Sequence, residues 1–181
     1  MRVLHYSHDD YGSDHLERTL DAAKQIAFEF PEATQLVVTG SPQPRDKRLP
    51  KGVDYIKLPN MDESSKTDGH TPSLLLPYGA IKTMRETLIS GAIQSFKPDV
   101  VLVETREEAR GEICEALDQL HEQHGEAQLV LGMGETGNAA TVLRDVVAGA
   151  ESALPRFLTG EEVPCEAEEY QEELESVLVG Q

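Results

Sequence analysis

Residues 2 to 30 run as a strand, a glycine-bearing polar turn and an amphipathic helix, and later segments repeat that order. Arg2, Val3, Leu4, His5 and Tyr6 form the expected first strand. His8, Asp9, Asp10, Tyr11, Gly12, Ser13 and Asp14 follow as the turn, and from His15 the apolar residues Leu16, Leu20, Ala23 and Ala27 recur at the helical period. In an open α/β sheet such a turn lies at the carboxyl end of its strand, where backbone N–H groups and the positive end of the helix dipole can hold an anion.

Further strands are expected at 35–39, 53–58, 99–103 and 128–131. The unbroken apolar run closing the 99–103 segment suits a central parallel strand covered on both faces. A helix from Tyr78 to Phe96 is expected to bury Ile81, Met84, Leu88, Ala92 and Phe96, and a second to bury Ala109, Ile113, Ala116, Leu117 and Leu120. The polar stretch 59–76 reads as a long loop, and a helix with Val142, Val146 and Val147 follows the turn Gly132 to Asn138. The class is therefore α/β, a Rossmann-like doubly wound, mostly parallel five-stranded sheet in the order 3-2-1-4-5 with helices on both faces. At 181 residues one domain spanning 1–181 is expected, in which 151–181 supply a connector and a closing helix with Tyr170, Leu174, Val177 and Leu178.

With 33 acidic against 16 basic residues the formal charge is −17, which argues against nucleic acid as a partner. Cys114 and Cys165 fall in unrelated segments and are expected as free thiols in a reducing cytoplasm. No signal peptide or transmembrane segment is read. Neither metal nor cofactor is expected: no Cys/His spacing suits zinc, and Gly132-x-Gly134-x-x-Gly137 follows the last strand, where a dinucleotide fingerprint does not belong. There is also no G-x-S-x-G elbow and no Walker loop.

Tyr6-Ser7-His8, Gly12-Ser13-Asp14-His15 and Arg18 together resemble the opening of glycosyltransferase family 28-type proteins, a strand leading into H-x-x-x-G-x-G-H-x-x-R. Val37 to Pro42, Gly52 to Pro59, Lys97 to Val103 and Arg110-Gly111-Glu112 extend the likeness over residues 2 to 145. The resemblance implies the N-terminal half of a GT-B fold. In that half, His15 and Glu104 would be the catalytic groups, and His8, Gly12, Ser13 and Arg18 would bind an acceptor or anion.

Bland alternatives stand beside each role. Asp14 occupies the motif's second glycine position, where its carboxylate crowds the backbone and opposes an anion; with Glu17 it also makes a capping-box pattern. Arg18 suits a surface pair with Asp14 or Asp21, His8 a satisfied loop histidine, and Glu104 a cap of the following helix. Gly134-Glu135 stands where relatives commonly carry an arginine-aspartate pair.

Relatives transfer a sugar from a nucleotide-sugar held mainly by a C-terminal domain. The resemblance thus implies a module for a sugar or lipid-linked acceptor, inactive alone and partnered by a separate donor-binding subunit. A truncated or engineered domain without activity, or a small phosphosugar-binding protein, are the alternatives.

Overall fold

The computed structural model describes residues 1–8, 14–41, 48–61, 74–103, 111–123 and 127–131. The described elements run in the order β1 (Arg2–Ser7), α1 (Asp14–Glu29), β2 (Thr34–Thr39), β3 (Val53–Lys57), α2 (Tyr78–Phe96), β4 (Val100–Val103) and α3 (Cys114–Gln123). Strand β5 (Gln128–Leu131) is the last element among the described residues. All strand pairings among the described residues are parallel. β1 lies between β2 and β4, in register Leu4 to Leu36 and Leu4 to Val101. β3 extends the sheet beyond β2, and the backbone of β5 runs beside β4 from Val100–Gln128 to Val103–Leu131.

Alternation along the strands divides two cores. On one face Leu16, Leu20 and Ala23 of α1 pack with Val37 and Val53. On the other, Leu4, Tyr6, Val38, Val101 and Val103 meet Ile89, Ala92 and Ile93 of α2 and Ile113, Ala116, Leu117 and Leu120 of α3. Lys97 ends α2 in the left-handed region at φ 50°, its N–H bonding back to Ile93 O at 2.8 Å. Asp99 then ties the start of β4 to β1, its Oδ2 accepting from Arg2 N at 2.7 Å.

Three sequence expectations are revised. α1 begins at Asp14, one residue before the expected His15, so Asp14 is already helical. α2 has the expected limits and buries the expected Ile81 and Ala92, but Arg85, Ile89 and Ile93 complete its inward face, while Met84 and Leu88 are 39% and 41% exposed. Spacing by four from Ile81 runs through Arg85 to Ile89, and an arginine interrupts the apolar pattern that a sequence scan follows. Cys114 is buried and disulfide-bonded rather than free; its position relative to Cys165 in the sequence carries no spacing signal. The expected elements beyond 131, Ala109 and the 62–73 part of the long loop lie outside the described residues.

The rotated α2 face yields a direct comparison. Ile89→Ala should cost about 2–4 kcal/mol through its cavity, while Leu88→Ala should cost under about 1 kcal/mol. Urea unfolding of the two variants checks this, and equal losses would restore the face expected from the sequence.

Candidate functional site

The carboxyl edge of the sheet carries a buried polar network in the core otherwise formed by α2 and α3. β1 starts it: Leu4 and Tyr6 share the α2 side, and His8 follows two residues beyond Tyr6 on the same side. Glu112 stands in the turn before α3, with 2% of its side chain exposed. Arg85 rises from α2 and is 0% exposed.

The guanidinium forks onto the carboxylate, Nε donating to Oε2 at 2.6 Å and Nη2 to Oε1 at 2.5 Å. Nη1 donates to the carbonyl of Pro59 at 2.6 Å, fastening the segment that leaves β3. Tyr6 Oη donates to Glu112 Oε1 at 2.6 Å and lies 3.0 Å from His8 Nδ1, which is itself 3.4 Å from Glu112 Oε1. The His8 side chain is 34% exposed, so a buried carboxylate holds a histidine that reaches solvent.

Burial pushes the Glu112 carboxyl upward, but hydrogen bonds from His8, Arg85 and Tyr6 and the guanidinium charge outweigh it and bring it down to about 2. Chemically, a half-exposed histidine oriented by a carboxylate is suited to accept a proton from a bound hydroxyl.

The opposite face carries a neutral pair. His5 Nε2 lies 2.8 Å from Gln35 Oε1, and Gln35 Nε2 donates to Ala23 O of α1 at 2.9 Å. The amide's orientation makes Oε1 the acceptor and Nε2 of His5 the donor. Burial lowers the His5 imidazole to about 4 against the opposing pull of Gln35.

Of the sequence-derived site residues, His8 is in this network. His15 is half-buried and Arg18 exposed on the first turns of α1. Gly12, Ser13 and Glu104 lie outside the described residues, as does Gly132 to Gly137. Sequence analysis missed Glu112 and Arg85 as site residues. Glu112 ends the Arg110-Gly111-Glu112 motif but received no role, and Arg85 could have been found by its place in the apolar row of α2. Among the described residues no three His, Cys, Asp or Glu side chains cluster to hold a metal ion, and no helix is long and apolar enough to cross a membrane.

No family model matches the chain, and no curated protein matches it. Similar solved structures include Phytolacca americana UGT2 complexed with UDP-2fluoro-glucose and pterostilbene, at TM-score 0.43 and 14% identity over 71% of this chain and 29% of that one. Clostridium botulinum phage c-st TubZ is similar at TM-score 0.43 and 11% identity over 90% of this chain and 64% of that one. The chain thus spans less than two thirds of either structure's length, and neither likeness bears on what it binds.

Acid should weaken the fold in two stages. His5 binds its proton near 6.5 when unfolded and near 4 when folded, so stability is lost as pH falls from about 6.5 to 4. Glu112 stabilises the fold above about 4.5, and that contribution is lost as pH falls through about 2. His5→Gln should remove only the first stage, on the order of 3 kcal/mol between pH 7 and 4. Urea midpoints measured across that range check it; an unchanged slope in the variant would exclude His5.

Proposed function

We propose that this chain is the acceptor-binding half of a nucleotide-sugar-dependent glycosyltransferase of the family 28-like GT-B type. In this proposal it is a doubly wound domain in the order 3-2-1-4-5 that works with a separate donor-binding subunit. The observation that carries it is the half-exposed His8 at the carboxyl end of β1, held at Nδ1 by Tyr6 and Glu112. The sequence motifs around Tyr6 to Arg18 and at Arg110-Gly111-Glu112 support it.

In transfer, Nε2 of His8 takes the proton of an acceptor hydroxyl while that oxygen bonds to the anomeric carbon of the sugar. The bond from that carbon to the nucleotide's phosphate breaks, and the nucleotide diphosphate leaves with the electron pair. Gly12, Ser13 and Arg18 hold the sugar or phosphate of the acceptor. His15, at the start of α1, and Glu104, directly after β4, are the further polar groups that contact it. The acceptor is a sugar or a lipid-linked sugar.

The test is ligand titration of the whole chain. Sugar phosphates at millimolar concentration should shift the His8 ring and the His15 and Leu16 amides, whereas UDP-glucose should leave the melting temperature unchanged, because only a ligand that binds the folded state stabilises it. A rise of several degrees with UDP-glucose would assign the chain to the donor side instead. Asp14→Gly should tighten inorganic phosphate binding at α1, and adding Glu17→Arg should tighten it further. Wild-type binding as tight as that of the double variant would mean that Asp14 does not oppose the anion.

A further inference from the structure

Resting on the reading of this carboxyl edge as an acceptor site, we propose that Ser7 and Thr39 form a second binding point there, one that takes a non-reacting hydroxyl of an uncharged sugar. The two residues end β1 and β2, are paired in register, and have no exposed surface. Their side chains lie on the α1 face, since Ser7 is two residues beyond His5 and Thr39 four beyond Gln35, the pair linked to Ala23 of α1. This is the face opposite the network of Tyr6, Glu112 and Arg85.

The pair is distinguished by unspent hydrogen-bonding capacity. Among the described residues Ser7 Oγ is the only buried side-chain oxygen or nitrogen without a hydrogen-bond partner. Thr39 Oγ1 accepts from Ser41 N at 3.0 Å, and among the described residues it donates to no acceptor. The backbone beside them is paired: Ser7 O accepts from Gly40 N at 3.2 Å and Thr39 O from Leu58 N at 2.8 Å. The hydroxyls therefore do not stand in for missing backbone bonds. A buried hydroxyl without a partner is costly. Two side by side at the carboxyl end of an α/β sheet, where ligands bind in such sheets, point to a group held between them.

Paired residues on neighbouring strands are about 4.8 Å apart, a spacing at which one oxygen can lie within about 2.8 Å of both hydroxyls. A sugar hydroxyl suits the place because its oxygen has a lone pair for each of the two protons. It also carries no charge, whereas a phosphate would meet the carboxylates of Asp14 and Glu17 in the first turn of α1, which starts at the same end of the sheet. Ser7 directly precedes His8, whose side chain is 34% exposed, so the edge opens to solvent one residue beyond the buried hydroxyl. An acceptor sugar straddling the end of β1 presents one hydroxyl to His8 on the α2 face and another to Ser7 and Thr39 on the α1 face.

The test is NMR titration of the full chain with a panel of neutral methyl hexosides and, separately, with inorganic phosphate. At least one hexoside at millimolar concentration should shift the Ser7, Thr39 and Gly40 amides, and phosphate should shift them less. Ser7→Ala should weaken that hexoside about tenfold, because the bound hydroxyl is left short of a partner. Thr39→Ser, which keeps its hydroxyl, should bind as the wild type does. The urea midpoint of Ser7→Ala should be no lower than that of the wild type, since the hydroxyl removed has no partner in the folded chain. A lower midpoint with hexoside affinity unchanged would mean that the gap holds a buried water only. That result, the absence of any hexoside shift, or a stronger response to phosphate overturns the subsite. The His8 ring, followed in the same titrations, separates the two proposals. Hexosides that shift it but bind Ser7→Ala as tightly as the wild type overturn the subsite and leave the function standing, whereas Ser7-dependent binding with a silent His8 ring does the reverse.

Discussion

The buried pairing of Arg85 with Glu112 is the interaction on which the α2 side of this molecule depends. A guanidinium with no exposed surface is costly unless its charge and its N–H groups are matched, and here the carboxylate takes two donors and the Pro59 carbonyl a third. Those partners come from the turn before α3 and from the segment after β3. One side chain thus sets the positions of α2, α3 and the exit of β3 relative to Tyr6 in β1. Removing either partner would strand a charge in the core, whereas removing both would leave only a packing problem.

The sheet treats its polar residues differently on its two faces. Beneath α1, burial keeps His5 neutral and Gln35 relays its hydrogen bond to the Ala23 carbonyl, an arrangement that holds helix to sheet and offers no proton at neutral pH. Beneath α2 and α3 the charge is kept, because a carboxylate with three hydrogen-bonding neighbours stays ionised despite burial. Residues two apart on one strand share a face, so Tyr6 carries that charged network outward to His8 at the strand's end. His5 belongs to the framework, whereas His8 reaches the half-exposed edge where the chemistry is proposed, although both are histidines of one short segment.

Much of this was legible in the sequence, and what was not has specific causes. Strong apolar periods located β1, α1, β2, β4 and α3 to within a few residues, since burial of such faces dominates local choice. The face of α2 was misplaced by one position because the row Ile81, Arg85, Ile89 contains a charge, and a charge reads as solvent-facing until its partner is known. That partner, Glu112, is 27 residues away, a separation at which no local pattern reports contact. His8 was recognisable from its place after β1, but the carboxylate given a role in the sequence was Glu104, directly after β4, and Glu112 in the turn before α3 was given none. The disulfide at Cys114 had no local signature either.

The overall charge of −17 and the anion binding proposed at the start of α1 coexist only if recognition is local. Charges more than about 8 Å apart are largely screened at physiological ionic strength, so the groups at the start of α1 matter more than the sum over the surface. There the two carboxylates of Asp14 and Glu17 stand against the one guanidinium of Arg18. A phosphate at this turn would gain from the backbone N–H groups and lose to the carboxylates. An uncharged hydroxyl suffers no such repulsion and, on the proposed function, needs only an acceptor for its proton, the role proposed for His8. On the proposed function, the first turn of α1 would therefore favour the sugar hydroxyl of an acceptor over its phosphate.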